Sequence, residues 1–275
     1  MKKIILTMCV LCLFFVPICY SNEIKPKLFI MLNVDNTMVD RVDPDDIESI
    51  NELSKQGYII QKLEFNVTRQ QAPKFSGLYA QLAAGNKNTK ESEYMTRIKV
   101  EKVANEYFHI TEYIVVRPSL QVFLENIKNL GITTHILVCS RNDDVRTKNL
   151  VDNLNLYVNN KKFKDLVDFV PRNSFRVKIK QDGGCEEISA KSAVELRKQY
   201  SGKYGPISKD DYVVLVDKLE DYRFIASNSD KDLNVKIDSF VVLKHRKFNR
   251  ANDHLKMNLA VQRIKQLIFR GIQNP

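Results

Sequence analysis

The sequence predicts an α/β fold: a Rossmann-like parallel sheet flanked by helices, with a small β-hairpin-containing insertion after the first strand. Three observations predict it. Short continuous apolar runs, such as Leu28-Phe29-Ile30-Met31-Leu32 and Tyr212-Val213-Val214-Leu215-Val216, have the pattern of strands buried on both faces. Between them lie segments with apolar residues at helical spacing, and strands alternating with helices build parallel sheets. Residues 58–116 break that alternation with consecutive strand-like segments, which places them as an insertion.

The elements follow in order. Residues 27–32 read as a buried strand ending at Asn33. Residues 44–57 read as a short helix closed by Gly57. Alternating apolar positions make 58–67 a strand, whereas 70–89 are polar, with small residues, and suit a loop or short helix. Residues 97–103 and 107–116 form a hairpin around Ala104-Asn105. Leu120, Phe123, Leu124, Ile127 and Leu130 then follow helical spacing up to Gly131. A strand at 134–139, a helix at 143–154 and a short strand at 167–170 come next. Residues 189–200 read as a helix capped by Ser189. Strands at 212–216 and 240–243 precede a long terminal helix at 252–272. With no internal repeat and no evident linker, residues 22–275 read as one mature domain.

The first 21 residues differ from the rest. Lys2-Lys3 precedes an apolar run from Ile4 to Tyr20, and Cys19 and Ser21 are small residues before a cut. This is the pattern of a secretory signal peptide, 1–21. The alternative is an uncleaved N-terminal membrane anchor. The run is short against the roughly 20 apolar residues a span needs, and Pro17 favours processing over a continuous helix. The expectation is an exported chain, periplasmic or secreted, with no membrane span in the mature part.

The 275 residues carry 44% hydrophobic and 28% charged side chains, so a packed core is expected and disorder is not. Removing Lys2 and Lys3, the only charges in the leader, lowers the net charge from +10 to +8. That balance suits an anionic partner, but the basic residues are scattered and give no specific nucleic-acid signal. The densest stretch, Arg172, Arg176, Lys178 and Lys180 before Gly183-Gly184, reads as a solvated strand face, with a binding patch as the alternative. Of five cysteines only Cys139 and Cys185 lie outside the leader; one disulfide is conceivable, and a buried strand residue plus a loop thiol is the plainer reading. His109, His135, His245 and His254 are dispersed without metal-ligand spacing. Ser140 lacks the G-x-S-x-G elbow of a serine hydrolase. Asn66-Val67-Thr68 is a glycosylation sequon, meaningful only in a eukaryotic secretory pathway.

Ligands of open parallel sheets bind at the carboxyl ends of the strands. Those ends supply Asn33 and Asp35, then Ser140, then Asp217, and Lys191 is expected to open a helix between the last two. In this order the set resembles the haloacid dehalogenase (HAD) superfamily. Its motifs are a strand followed by D-x-D-x-T, a strand ending in Ser or Thr, a lysine, and a strand ending in acidic residues. The resemblance is nearest to the NLI-interacting-factor-like phosphatases, which include the RNA polymerase II C-terminal-domain phosphatases. It rests on Leu32-Asn33-Val34-Asp35-Asn36-Thr37, on Arg117-Pro118 at the end of the hairpin, on Val138-Cys139-Ser140, on Ala190-Lys191-Ser192, and on Leu215-Val216-Asp217-Lys218-Leu219-Glu220. It covers roughly residues 27–242.

The resemblance implies a phosphatase that attacks phosphorus with the first carboxylate and uses the second, two residues on, as general acid and base. Thr37, Ser140 and Lys191 would hold the phosphoryl oxygens, and Asp35 and Asp217 would hold Mg²⁺. Two positions depart from that pattern. Asn33 stands where the nucleophilic aspartate belongs, and a carboxamide is a poor nucleophile without charge for a metal. Lys218 stands at a metal-ligand position; an ammonium has no lone pair and repels the ion, by about 1–4 kcal/mol for unit charges about 4 Å apart. Lys218 could instead take the place of the cation beside Asp217 or Glu220. The expectation is therefore a pseudophosphatase, or a binder of phosphate, a phosphorylated small molecule or a phosphoprotein. The alternatives are an active Mg²⁺-dependent phosphomonoesterase and a non-catalytic interaction module using the insertion or the basic stretch. An exported chain does not meet nuclear polymerase tails, so that substrate is not carried over.

Overall fold

The computed structural model describes residues 25–68, 99–104, 107–140, 144–171, 174–180, 187–200, 205–218, 224–226, 230–242 and 250–273. The expected leader, the 70–89 segment, Cys185 and the Gly183-Gly184 turn lie outside them.

In chain order the described elements begin with β1 (Leu28–Asn33), β2 (Val39–Val42), α1 (Ile47–Lys55), β3 (Ile59–Thr68), β4 (Lys99–Ala104) and β5 (Tyr107–Val116). Next come α2 (Leu120–Lys128), β6 (Thr134–Cys139), α3 (Asp144–Asn153), β7 (Tyr157–Val158), β8 (Lys161–Lys162), α4 (Phe163–Leu166) and β9 (Val167–Val170). The chain continues with β10 (Arg176–Lys180), β11 (Glu187–Ser192), α5 (Ala193–Gln199), β12 (Tyr212–Lys218), β13 (Phe224–Ile225), β14 (Asp232–Ile237) and α6 (Arg250–Gln273).

The central sheet has five strands in the order β14-β12-β1-β6-β9, and each of its pairings is parallel. β1 is the middle strand and all six of its residues are buried. The pleat sends Leu28, Ile30 and Leu32 to one core with α2, α3 and α6, and Phe29 and Met31 to a second core with α5. A strand sandwiched in this way has no polar face, which explains its unbroken apolar run. The α/β class with a parallel sheet flanked by helices is thus observed.

The insertion forms its own antiparallel sheet. β5 is its spine: β3 pairs along one edge from Ile59↔Val116 to Thr68↔Tyr107, and β2 and β4 share the other. The expected hairpin is present. The sheet also recruits β2, at Val39–Val42, ahead of the expected start at residue 58.

Three local expectations are corrected. The helix expected at 189–200 starts at Ala193, and Ser192 rather than Ser189 caps it, its hydroxyl accepting from the Glu195 N–H. Lys191 consequently lies in a strand and does not open a helix: β11 pairs with β10 and β13 in a small separate sheet. The apolar run expected as a strand at 240–243 is not one over its described residues. Phe240 N–H donates to the Asn36 carbonyl and Val242 N–H to Asp40 Oδ2, so this stretch is tied to the loop beyond β1. The last strand among the described residues is β14, whose less apolar sequence pairs with β12.

Candidate functional site

Sheet order makes the site. β1 lies between β12 and β6, with Leu32 level with Val216 and Asn33 level with Cys139. The next residues of the three strands therefore emerge together. The loop after β1 folds back at once: Met38 N–H donates to the Val34 carbonyl at 2.8 Å and Asn36 N–H to the Val39 carbonyl at 2.8 Å. Asn36 takes a φ of +56°, a conformation asparagine tolerates better than most residues. This turn holds Asp35 and Thr37 over the strand ends. Asn33, Thr37, Ser140, Lys191 and Asp217 are all nearly inaccessible to solvent.

Around Asp217 the contacts are amide-like. Asn33 Nδ2 donates to Asp217 Oδ1 at 2.8 Å and sits 3.4 Å from the Asp35 carbonyl oxygen. Lys218 N–H donates to the same Oδ1 at 2.8 Å, and Thr37 Oγ1 at 3.4 Å. Asp217 Oδ2 and Asn33 Oδ1 are buried without a hydrogen-bond partner. Burial pushes the Asp217 carboxyl above the usual aspartate range, against the downward pull of Lys191, the Lys218 N–H, Asn33 and the Lys218 charge. Lys191 is 1% exposed, and its Nζ lies 2.8 Å from Cys139 Sγ.

Around Asp35 the contacts are ionic. Arg41 Nε donates to Asp35 Oδ1 at 3.0 Å, and Ser140 Oγ to Oδ2 at 2.6 Å. Arg41 Nη1 pairs with Glu112, and Arg146 Nε reaches the same Glu112 oxygen at 2.6 Å. A buried chain Asp35–Arg41–Glu112–Arg146 thus ties the β1 loop to β2, β5 and α3. Burial alone would raise the Asp35 carboxyl, but Arg41, the Ser140 hydroxyl and Arg146 hold it below the usual range. Glu112 is likewise held low by Arg146 and Arg41 against its burial. Arg41 is raised, since Glu112 and Asp35 outweigh its burial.

All the expected site residues meet here, but none is idle. Of the expected phosphate ligands, Ser140 is spent on Asp35, Thr37 on Asp217 and Lys191 on Cys139. Arg117 of the Arg-Pro pair lies elsewhere: it forms a buried ion pair with Asp253 of α6 at 2.6 Å and donates to the carbonyls of Thr37 and Asp238. It clamps the terminal helix to the site loop. Sequence reasoning missed Arg41, Glu112 and Arg146. A signal was present for Glu112, which shares the register of the buried Ile110 and Ile114, and for Arg146, one turn from Leu150 on the buried face of α3.

The arrangement offers Mg²⁺ few oxygens: both of Asp35 accept from donors and Asp217 Oδ1 accepts three, which leaves Asp217 Oδ2 and Asn33 Oδ1 of these three side chains, and Asn33 turns its N–H donor toward Asp217. Half-buried Asp35 and the buried Glu112 and Asp217 face three buried basic groups (Arg41, Arg146, Lys191), a further buried carboxylate, Asp40, accepts from the Arg41 and Val242 N–H groups, and Lys218 at the rim adds positive charge. Among the described residues no three His, Cys, Asp or Glu side chains are grouped to hold a metal ion.

The chain matches no protein-family model and no curated protein.

Proposed function

We propose that the chain is an exported pseudophosphatase: a phosphatase-like fold of HAD type whose strand-end site no longer turns over phosphate esters. The observation that carries this reading is the Asn33 carboxamide donating to Asp217 at 2.8 Å. It removes the nucleophilic carboxylate and supplies, with a neutral donor, the contact that a cation would otherwise make. The ion pairs on Asp35 support the same reading, because a carboxylate clamped by Arg41 and held low is a poor general acid near neutral pH.

A second reading, phosphate or phospho-ligand binding without turnover, is favoured by the basic side of the cluster. Arg146 Nη2 is buried without a hydrogen-bond partner, and the Arg146 charge acts on Asp35. An incoming phosphate dianion would draw on Arg146 and Lys191 as donors.

The test is Mg²⁺-dependent hydrolysis of a generic aryl phosphate by residues 22–275, beside Asn33→Asp and Asn33→Asp/Lys218→Asn. The wild-type chain is expected to be inactive, with turnover appearing first in the double variant. Robust wild-type turnover that Asp35→Ala abolishes would overturn the reading. Binding of inorganic phosphate by the inactive wild type, weakened by Arg146→Met, supports the second reading.

A further inference from the structure

The β14 side of the central sheet ends in a groove unrelated to the strand-end cluster. β14 pairs with β12 along one edge, and no described strand pairs with its other edge. Leu233, Val235 and Ile237 point into the core beneath α6, so Asn234 and Lys236 lie on the opposite face. Beside the open edge runs a stripe of α6 at i, i+3, i+4 and i+7: Lys256, Leu259, Ala260 and Arg263. Together they wall a groove of about 370 Å³. Leu259 is 55% exposed there. Asn234 Oδ1 is buried without a hydrogen-bond partner.

We propose that this groove receives an extended acidic segment of a partner protein, which adds to β14 as a sixth strand of the central sheet. An open parallel-sheet edge offers a row of backbone donors and acceptors, and strand addition uses them directly. The charges choose the occupant. Lys236 flanks the edge on one face and Arg263 on the other, and neither has an ion-pair partner among the described residues; the one acidic neighbour, Asp238, is already paired with Lys256. A strand with acidic side chains on both faces meets a cation on each, while Leu259 takes an apolar residue between them. Edge lysines also serve to block unwanted pairing. A blocking lysine needs no walled groove and no exposed leucine beside it, and both are present here.

The experiment uses residues 22–275 and two labelled octapeptides, a Glu-Glu-Val-Val repeat (the Glu-Val peptide) and a Lys-Lys-Val-Val repeat (the Lys-Val peptide), which carry charged and apolar side chains on both faces of a strand, read by fluorescence anisotropy. Hydrogen exchange over Asp232–Ile237 is followed in parallel. The Glu-Val peptide is expected to bind and to slow exchange in that strand, and the Lys-Val peptide not to bind. Lys236→Glu/Arg263→Glu is expected to weaken the Glu-Val peptide about tenfold or more, and Lys236→Arg/Arg263→Lys to preserve it. Both residues are exposed, so an unchanged thermal midpoint separates a binding defect from misfolding. Three results would each overturn the proposal: no binding of the Glu-Val peptide, equal binding by the charge-reversed variant, or a wild-type dimer that the reversal dissociates, which would make a second copy the occupant.

Discussion

Asp35, in the loop after β1, and Asp217, in the neighbouring β12, stand in one cluster, yet their surroundings push them in opposite directions. Asp35 lies on the β6 side, between Arg41 and the Ser140 hydroxyl, and is held below its ordinary range. Asp217 lies on the β12 side among an amide, a backbone N–H and a hydroxyl, and burial raises it. Asp35 is an anchored anion. Asp217 is a desolvated carboxyl whose charge is incompletely matched. The difference comes from their partners: the insertion sheet gives Asp35 a guanidinium, Arg41, which Glu112 also holds, while Asp217 has the neutral Asn33 amide.

The comparison can be broken by substitution. The largest effect is expected at Glu112, the link between two guanidinium groups. Glu112→Gln leaves Arg41 and Arg146 buried side by side and is expected to cost about 3–5 kcal/mol in urea unfolding. A loss below about 1 kcal/mol would mean that the ionic chain does not hold the insertion to the sheet. Asp35→Asn should cost less, about 2 kcal/mol, because Arg41 keeps Glu112. Asn33→Asp places a second carboxylate against Asp217, and a loss of about 1–2 kcal/mol is expected at neutral pH, shrinking on acidification as the pair takes up a proton. Asp217→Asn is expected to stay within about 1 kcal/mol of wild type. If Asp217→Asn proved more damaging than Asp35→Asn, the assigned asymmetry would be reversed.

Acid titration sharpens the same contrast. Asp35 and Glu112 are depressed, so their stabilisation is complete above the ordinary carboxylate range and is lost as pH falls through their folded values. Asp217 is raised, so its ionised form opposes folding and that cost is relieved as pH falls through its folded value. Any advantage of Asp217→Asn at pH 7 should therefore shrink toward pH 4. His135 complicates the window. Burial beside Lys128 and Lys27 holds it at about 4, against an ordinary 6.5, so the unfolded chain takes up a proton the folded one refuses and stability falls between those values. His135→Gln is expected to flatten that part of the curve, and the carboxylate titrations are best followed in this background.

Much of the fold was legible because strands buried on both faces leave unbroken apolar runs. β1, β6 and β12 could be placed that way, and with them Asn33, Ser140 and Asp217. Where the run and the pairing part company the reading failed. Phe240-Val241-Val242 is apolar because Phe240 and Val242 pack with Val42, Val115 and Leu53 of the insertion sheet and α1, whereas β14 reads Asp-Leu-Asn-Val-Lys-Ile because one of its faces is accessible. Lys191 was assigned to a helix because Ser189 and Ser192 are equally good caps in sequence, and only the pairing of β11 with β10 decides between them. The ionic chain was the least legible part. Arg41, Glu112 and Arg146 are far apart in the chain, and charged residues at apolar register positions are recognisable singly, but their pairing exists only once the insertion sheet is docked.

That the strand-end cluster is held together without a cation is tested by the thermal midpoint of residues 22–275 with and without millimolar Mg²⁺. Asn33→Asp/Lys218→Asn is measured alongside. No Mg²⁺-dependent shift is expected for the wild type, and a rise for the double variant, whose site gains a carboxylate and loses an ammonium. A wild-type rise of the same size, lost on Asp217→Asn, would contradict it.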